Sequence, residues 1–125
     1  MAGRWEELLA VAQEEVRAII AHLPTRLRAS AKEIPVTYET VPNREWVKDG
    51  IAGDTLGLFF GPAYEEEGSS GVPLPPQIIL FLENLWEFSG GDEPVYRQEV
   101  RKTYLHELGH YLGLDEDDLD LRDLQ

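Results

Sequence analysis

One short stretch, His106-Glu107-Leu108-Gly109-His110, constrains this chain more than any other part of its sequence. Side chains four residues apart on an α-helix lie one above the other, so both imidazoles can reach a single metal ion. Glu107 points into the same space. This His-Glu-x-x-His pattern is typical of zinc hydrolases, in which the glutamate takes a proton from water. The motif therefore predicts a helix that carries the metal ligands His106 and His110 beside a catalytic base, Glu107.

The residues around the motif predict that this helix is long and amphipathic. Apolar side chains recur at three- and four-residue intervals across residues 94–112, the spacing that buries one stripe of a helix. Asp92 can cap the first turn, and Gly113 suits a left-handed position after the last turn. The alternative is an exposed helix whose histidines are ordinary surface residues. The expected stripe comprises Val100, Tyr104, Leu108, Tyr111 and Leu112.

Two carboxylates beyond this helix are candidates for a third metal ligand. A catalytic zinc site has three protein ligands and one open position for water. Gly113 allows the backbone to reverse sharply, so a residue two or three positions later can return toward the metal. Glu116 is the first choice and Asp115 the second, although Asp115 can instead cap a short final helix over residues 115–125. His22, the third histidine of the chain, is interpreted as a surface or packing residue.

Composition limits the architecture and the partners. A chain of 125 residues supports one modest core, so residues 1–125 are predicted to form a single domain. The formal net charge of −13 argues against nucleic acids and anionic membranes, and it favours a neutral or cationic partner. The absence of cysteine excludes disulfides and thiolate metal sites.

Targeting signals are not apparent. Acidic residues interrupt the N-terminal segment where a secretory signal would need an uncharged apolar run. No stretch approaches the roughly 18 apolar residues that span a bilayer. We therefore expect a cytoplasmic protein.

Hydrophobic periodicity predicts one more long helix and up to three strands. An apolar stripe over residues 4–23 predicts an amphipathic helix. Alternating side chains predict a strand over residues 34–41, and a second short strand is expected over residues 54–61. The apolar run at residues 77–86 begins as a buried strand, and its second half, from Glu83, is consistent with either a strand or a helical turn.

The segments between these elements are interpreted as irregular. The basic residues 26–32 are expected to form a solvated loop. Residues 43–53 are expected to be a loop or a short helical turn that Trp46 and Val47 anchor. Residues 61–76 are rich in glycine, proline, serine and glutamate, which predicts a long mobile loop. Such a loop is either a lid over a functional site or a plain connector.

Three motifs in this order resemble the short bacterial zincin-like metallopeptidases, once known only as a domain of unknown function. The resemblance covers roughly residues 51–120. It implies an α+β, minimal zincin-like fold, in which a small mixed sheet packs against an N-terminal helix and the active-site helix. It also implies Zn²⁺ as cofactor and a peptidase activity. The motifs are Leu56-Gly57-Leu58-Phe59-Phe60-Gly61, Leu74-Pro75-Pro76-Gln77-Ile78-Ile79-Leu80-Phe81 and His106-Glu107-Leu108-Gly109-His110-Tyr111-Leu112-Gly113-Leu114-Asp115-Glu116.

The last motif is also similar to the metzincin pattern His-Glu-x-x-His-x-x-Gly-x-x-His, with one departure. Glu116 stands where that pattern has its third histidine, and a carboxylate is an acceptable zinc ligand. The metzincin Met-turn has no counterpart, since the only methionine is Met1. The other common zincin scheme, a glutamate from a separate downstream helix, also has no candidate.

The sequence supports two functional hypotheses of different class. The first is a zinc-dependent peptidase acting on neutral or cationic peptides or proteins. In it, His106, His110 and either Glu116 or Asp115 hold Zn²⁺, which activates a water molecule, and Glu107 handles the proton. The second is a non-enzymatic interaction module that keeps the scaffold with a structural metal or none.

Two further features of the expected cleft stay open at this stage. Tyr111 or Tyr64 is a candidate oxyanion donor, although tyrosines in such positions are commonly core residues. A sheet edge is expected to pair with an extended substrate, and either residues 56–60 or residues 78–82 can provide that edge.

Overall fold

A computed structural model describes residues 3–61 and 76–112 of the chain. Within these ranges the protein is α+β, with five helices and a small mixed sheet, which confirms the predicted fold class. In chain order the elements are α1 (Arg4–His22), α2 (Thr25–Lys32), β1 (Val36–Glu39), α3 (Arg44–Lys48), β2 (Gly57–Phe60), β3 (Gln77–Phe81), α4 (Leu82–Phe88) and α5 (Glu93–Leu112). The loop predicted after β2 and the final helix predicted over residues 115–125 lie outside the described residues.

The sheet has the strand order β1-β3-β2 within the described residues. β1 runs parallel to β3, with Val36 opposite Ile78, and β2 runs antiparallel to it, with Gly57 opposite Leu80. β3 is therefore the central strand, and its residues from Ile78 to Phe81 are almost completely buried. Because both sides of β3 are already paired, residues 78–82 are excluded as a substrate-pairing edge.

The main core lies between the sheet and the two long helices. The predicted stripe of α5 is confirmed, because Val100, Tyr104 and Leu108 have no exposed surface and Tyr111 is 2% exposed. Leu112, at the end of the stripe, is only partly buried. The stripe predicted on the first helix is confirmed by the buried residues Leu8, Ala12, Val16 and Ile19.

Polar contacts also join α1 to α5. The carboxylate of Glu15 accepts hydrogen bonds from Nη1 of Arg97 and Nη1 of Arg101, each at 3.1 Å. The bond to Glu15 raises the pKa of Arg97 above its ordinary value. The hydroxyl of Tyr96 donates to the carbonyl oxygen of Leu8 at 2.9 Å inside the core. These contacts fix the position of α5 along α1.

The basic segment after α1 is a helix, so the prediction of a solvated loop at residues 26–32 was wrong. α2 spans Thr25–Lys32, and its Ala31 is completely buried. Most of its residues are good helix formers, and the positive charges of arginine and lysine do not oppose helix formation. Charge density was therefore a poor indicator of an irregular segment here.

The open predictions for two shorter segments are resolved. α3 is a short helical turn, capped by Asn43, whose Oδ1 accepts from the backbone amide of Trp46 at 2.9 Å. Trp46 packs edge-on against Phe81 with ring centroids 6.0 Å apart, whereas Val47 is 46% exposed, so only Trp46 anchors this segment. The second half of the apolar run forms α4, which begins directly after β3.

None of the helices within residues 3–61 and 76–112 has the length and hydropathy that crossing a bilayer requires.

Two buried tyrosines of α5 differ in the hydrogen bonding of their hydroxyl groups. Substitution of each by phenylalanine should therefore have different effects on stability. Tyr96 donates to Leu8, whereas the hydroxyl of Tyr104 is buried with no hydrogen-bond partner in the described structure. Burial raises the pKa of both phenols. We expect Tyr96→Phe to lower the free energy of unfolding by about 1 kcal/mol and Tyr104→Phe to leave it unchanged or raise it slightly. Urea denaturation measures both, and a larger loss for Tyr104→Phe would contradict the assignment.

Candidate metal centre

The motif lies in the last two turns of a continuous helix. α5 begins at Glu93, and Oδ1 of Asp92 accepts from the amide of Val95 at 3.2 Å, which confirms the predicted N-cap. Because the buried stripe includes Tyr104 and Leu108, the rotation of the helix about its axis is fixed. That rotation leaves both motif histidines exposed.

Three motif side chains converge on one point. One ligand atom from each of His106, Glu107 and His110 lies within 4.8 Å of the other two, and no other described group of such residues does so. The two imidazole centroids are 4.4 Å apart, with the rings inclined at 61°. Nδ1 of His110 lies 3.4 Å from Oε1 of Glu107. The two imidazoles fit the ligand chemistry of zinc, and the carboxylate of Glu107 lies beside the position they would share.

The burial of the three side chains differs in a way that suits different roles. The side chain of His110 is 55% exposed, whereas that of Glu107 is only 10% exposed. An exposed imidazole can reach an ion that enters from solvent. A largely buried carboxylate has few orientations available, so its oxygens are held beside the histidines.

An open cleft of about 320 Å³ runs beside the motif between β2 and α5. The start of β2 forms one wall and one face of α5 forms the other. Its lining residues are Leu56, Gly57, Lys102, Thr103, His106 and Glu107. The candidate metal ligand His106 and the candidate base Glu107 are therefore both accessible from this cleft.

The width of the cleft depends on a close approach of β2 to α5 at Gly57. A Cβ atom built on Gly57 would lie only 2.4 Å from Cγ2 of Thr103, which is closer than real side chains come. Further along the strand, the ring of Phe59 packs against that of Tyr111 with centroids 5.7 Å apart. The role of Gly57 was not predicted from the sequence, although an isolated glycine inside an apolar strand is a signal of close backbone approach.

The other candidate residues are only partly described. Glu116, Asp115 and Tyr64 lie outside the described residues, so the choice of third ligand remains a prediction. His22 is exposed, with Nδ1 2.7 Å from the carbonyl oxygen of Ala18, and it is not part of the metal group. Tyr111 is buried against Phe59, as expected for a core residue.

A small mixed sheet beside a His-Glu-x-x-His helix places the protein in the zincin class. Residues 31–125 match the family model of zincin-like metallopeptidases, and because this match covers most of the chain, the protein belongs to that family. The match is longer than the region 51–120 over which the motifs resemble the family. α1 precedes it. Comparison with curated proteins gives no match.

The contact between Gly57 and Thr103 can be tested by a paired substitution. We expect Gly57→Ala to lower the free energy of unfolding by about 1–3 kcal/mol, because the added methyl overpacks the interface of β2 and α5. Thr103→Ser removes the opposing methyl, so the double variant should recover most of this loss. Thr103→Ser by itself is the control. Strictly additive losses in urea denaturation would show that the two positions do not meet.

Proposed function

We propose that this protein is a zinc-dependent peptidase whose centre is formed by His106, His110 and a carboxylate from Glu116 or Asp115, with Glu107 as general base. The observation that carries this proposal is the convergence of His106, Glu107 and His110 within 4.8 Å at the side of an open cleft. Membership of the zincin-like metallopeptidase family supports it.

The donor set favours zinc as the resident metal. Two imidazoles with a carboxylate are a usual ligand set of catalytic zinc, and the cysteine-free sequence offers no thiolate alternative. Bound zinc supplies a Lewis acid that lowers the pKa of water toward neutrality and polarises a carbonyl. The two histidines bind through neutral nitrogens, so binding weakens as they become protonated.

Glu107 performs the proton transfers in this proposal. Its carboxylate lines the cleft, and it is the only acid among the described lining residues. It accepts a proton from the attacking water and then donates it to the nitrogen of the leaving amine. Because the side chain is largely buried, it keeps one orientation between these two steps.

The position of β2 at one side of the described sheet supports a mode of substrate binding. The carbonyl oxygen of Leu56 accepts from the amide of Phe81 at 2.9 Å. In an antiparallel pair such bonds alternate, so Gly57 and Phe59 direct their own amide and carbonyl groups away from β3. Gly57 also lines the cleft, and we propose that an extended peptide pairs with this edge.

The overall charge bears on the choice of substrate. A net charge of −13 attracts cations and repels polyanions at long range. We therefore propose peptides or unfolded protein segments that are neutral or cationic as a whole.

Zinc affinity should identify the ligands. We expect His106→Ala and His110→Ala each to weaken zinc binding by at least tenfold, because each removes a ligand. Glu116→Gln should do the same, whereas Asp115→Asn should change the affinity little. Competition with a chromophoric chelator measures the dissociation constants. His22→Ala is the control with an intact motif. Loss of zinc in Asp115→Asn but not in Glu116→Gln would assign the third position to Asp115.

Glu107→Gln should separate catalysis from metal binding. The amide cannot accept a proton, so we expect peptide hydrolysis to fall by a factor of about 10² to 10⁴ while zinc stays bound. Cleavage of a random peptide mixture, followed by mass spectrometry, provides the readout, and zinc content is measured on the same samples. A wild-type protein that binds zinc but cleaves no peptide would favour a non-enzymatic interaction module.

A further inference from the structure

One basic side chain other than histidine, that of Lys102, lines the described part of the cleft. Lys102 shares the lining with Gly57, His106 and Glu107. It precedes His106 by four residues on α5, so the two side chains lie one above the other on the same helix face. The Lys102 side chain therefore lies on the same face of α5 as His106, the candidate metal ligand.

The ammonium group of Lys102 has capacity to bind a ligand. Its side chain is 52% exposed, and Nζ forms an ion pair with Oε1 of Glu99 at 3.6 Å, a separation longer than a hydrogen bond. An ammonium carries three donors. The neighbouring cations of α5 are used differently, since Arg97 and Arg101 both donate to Glu15 of α1. Lys102 is thus the basic residue of this helix that faces the cleft instead of the helix interface.

We propose that Lys102 forms a carboxylate-binding subsite that selects the substrate next to the cleavage point. The proposal rests on the proposed peptidase function. Four residues of helix correspond to about 6 Å along the axis, which equals about two residues of extended peptide. If the peptide runs along α5, the bound carboxylate lies within about two residues of the scissile bond. It comes either from an aspartate or glutamate side chain or from a free C-terminus.

This local preference is compatible with the acidic character of the whole chain. The net charge of −13 acts through solvent and is screened over about 8–10 Å at physiological salt. A carboxylate in direct contact with the Lys102 ammonium gains a short-range attraction that salt screens little, which opposes the repulsion from the nearby carboxylates of Glu99 and Glu107. The substrate is accordingly neutral or cationic as a whole and carries one carboxylate near the cleaved bond.

Binding measurements with matched probes test this subsite independently of turnover. One pair is N-acetyl-tetraalanine as the free acid and as the amide, which isolates a C-terminal carboxylate. The other pair is an N-acetylated tetrapeptide amide with either one glutamate or one glutamine among alanines, which isolates a side-chain carboxylate. Dissociation constants come from NMR titration of the full chain. Two forms are used, the metal-free wild type and the zinc-loaded Glu107→Gln variant, which does not consume the probe.

We expect the carboxylate member of at least one pair to bind about fivefold more tightly, which is the upper end of what a solvent-accessible charge pair contributes. Lys102→Met, which keeps the aliphatic stem, should reduce this ratio to below about twofold. Lys102→Arg should retain the ratio of affinities. The control variant Lys48→Met, on α3, should retain it as well. Lys102→Gln serves as a second neutral variant, and melting temperatures verify that each variant folds. The pair that responds identifies the source of the carboxylate.

The results distinguish the subsite from the catalytic proposal. Equal affinities within both pairs, no detectable binding of any probe, or a preference unchanged by loss of Lys102 would overturn the subsite. A preference that appears only in the zinc-loaded form, and that substitution of Lys102 does not change, would show that the carboxylate binds the metal. That result would also overturn the subsite. A Lys102-dependent preference in a protein that cleaves no peptide would leave the subsite standing and contradict the peptidase function.

Discussion

The apolar stripe of α5 packs between α1 and the sheet, and the geometry of the site depends on this packing. Val100, Tyr104 and Leu108 are completely buried, and each such side chain contributes roughly 1.5–3 kcal/mol through the hydrophobic effect. Rotation of the helix by one residue would expose part of this stripe and bury a histidine. The positions of His106 and His110 at the cleft are therefore a consequence of what the other face of the helix buries.

α1 has a structural role that the family match does not include. The matched residues begin at position 31, yet α1 supplies four buried apolar side chains to the core. It also holds α5 through Glu15 and through the backbone carbonyl of Leu8. In this protein the segment that precedes the matched region thus stabilises the helix that carries the motif.

The cleft combines a backbone wall with a side-chain wall. β2 contributes the backbone of Gly57, whose amide and carbonyl groups point away from β3. α5 contributes His106, Glu107 and Lys102, which in the proposed enzyme would supply a metal ligand, a base and a charge. Because Gly57 has no side chain, β2 and α5 approach each other closely at Thr103.

Sequence periodicity predicted the features that depend on residues close together in the chain. The stripe of α5, its cap at Asp92 and the pairing of the two histidines all follow from helical spacing, and the structure shows all three. The resemblance in motifs predicted the α+β fold and the zincin-like family, and both are confirmed. Local reasoning was wrong at α2, where positive charge was interpreted as a loop, and at Val47, which is exposed.

The sequence by itself determined that a helix presents His106, Glu107 and His110 together, because an i, i+4 spacing brings side chains together without help from the rest of the fold. Only the tertiary structure decided that β3 is central and β2 an edge strand of the described sheet, that Gly57 meets Thr103 and that Lys102 faces the cleft. Those relations join segments about 20 to 50 residues apart, and strand pairing across such distances is set by the packing of the whole chain and not by local periodicity.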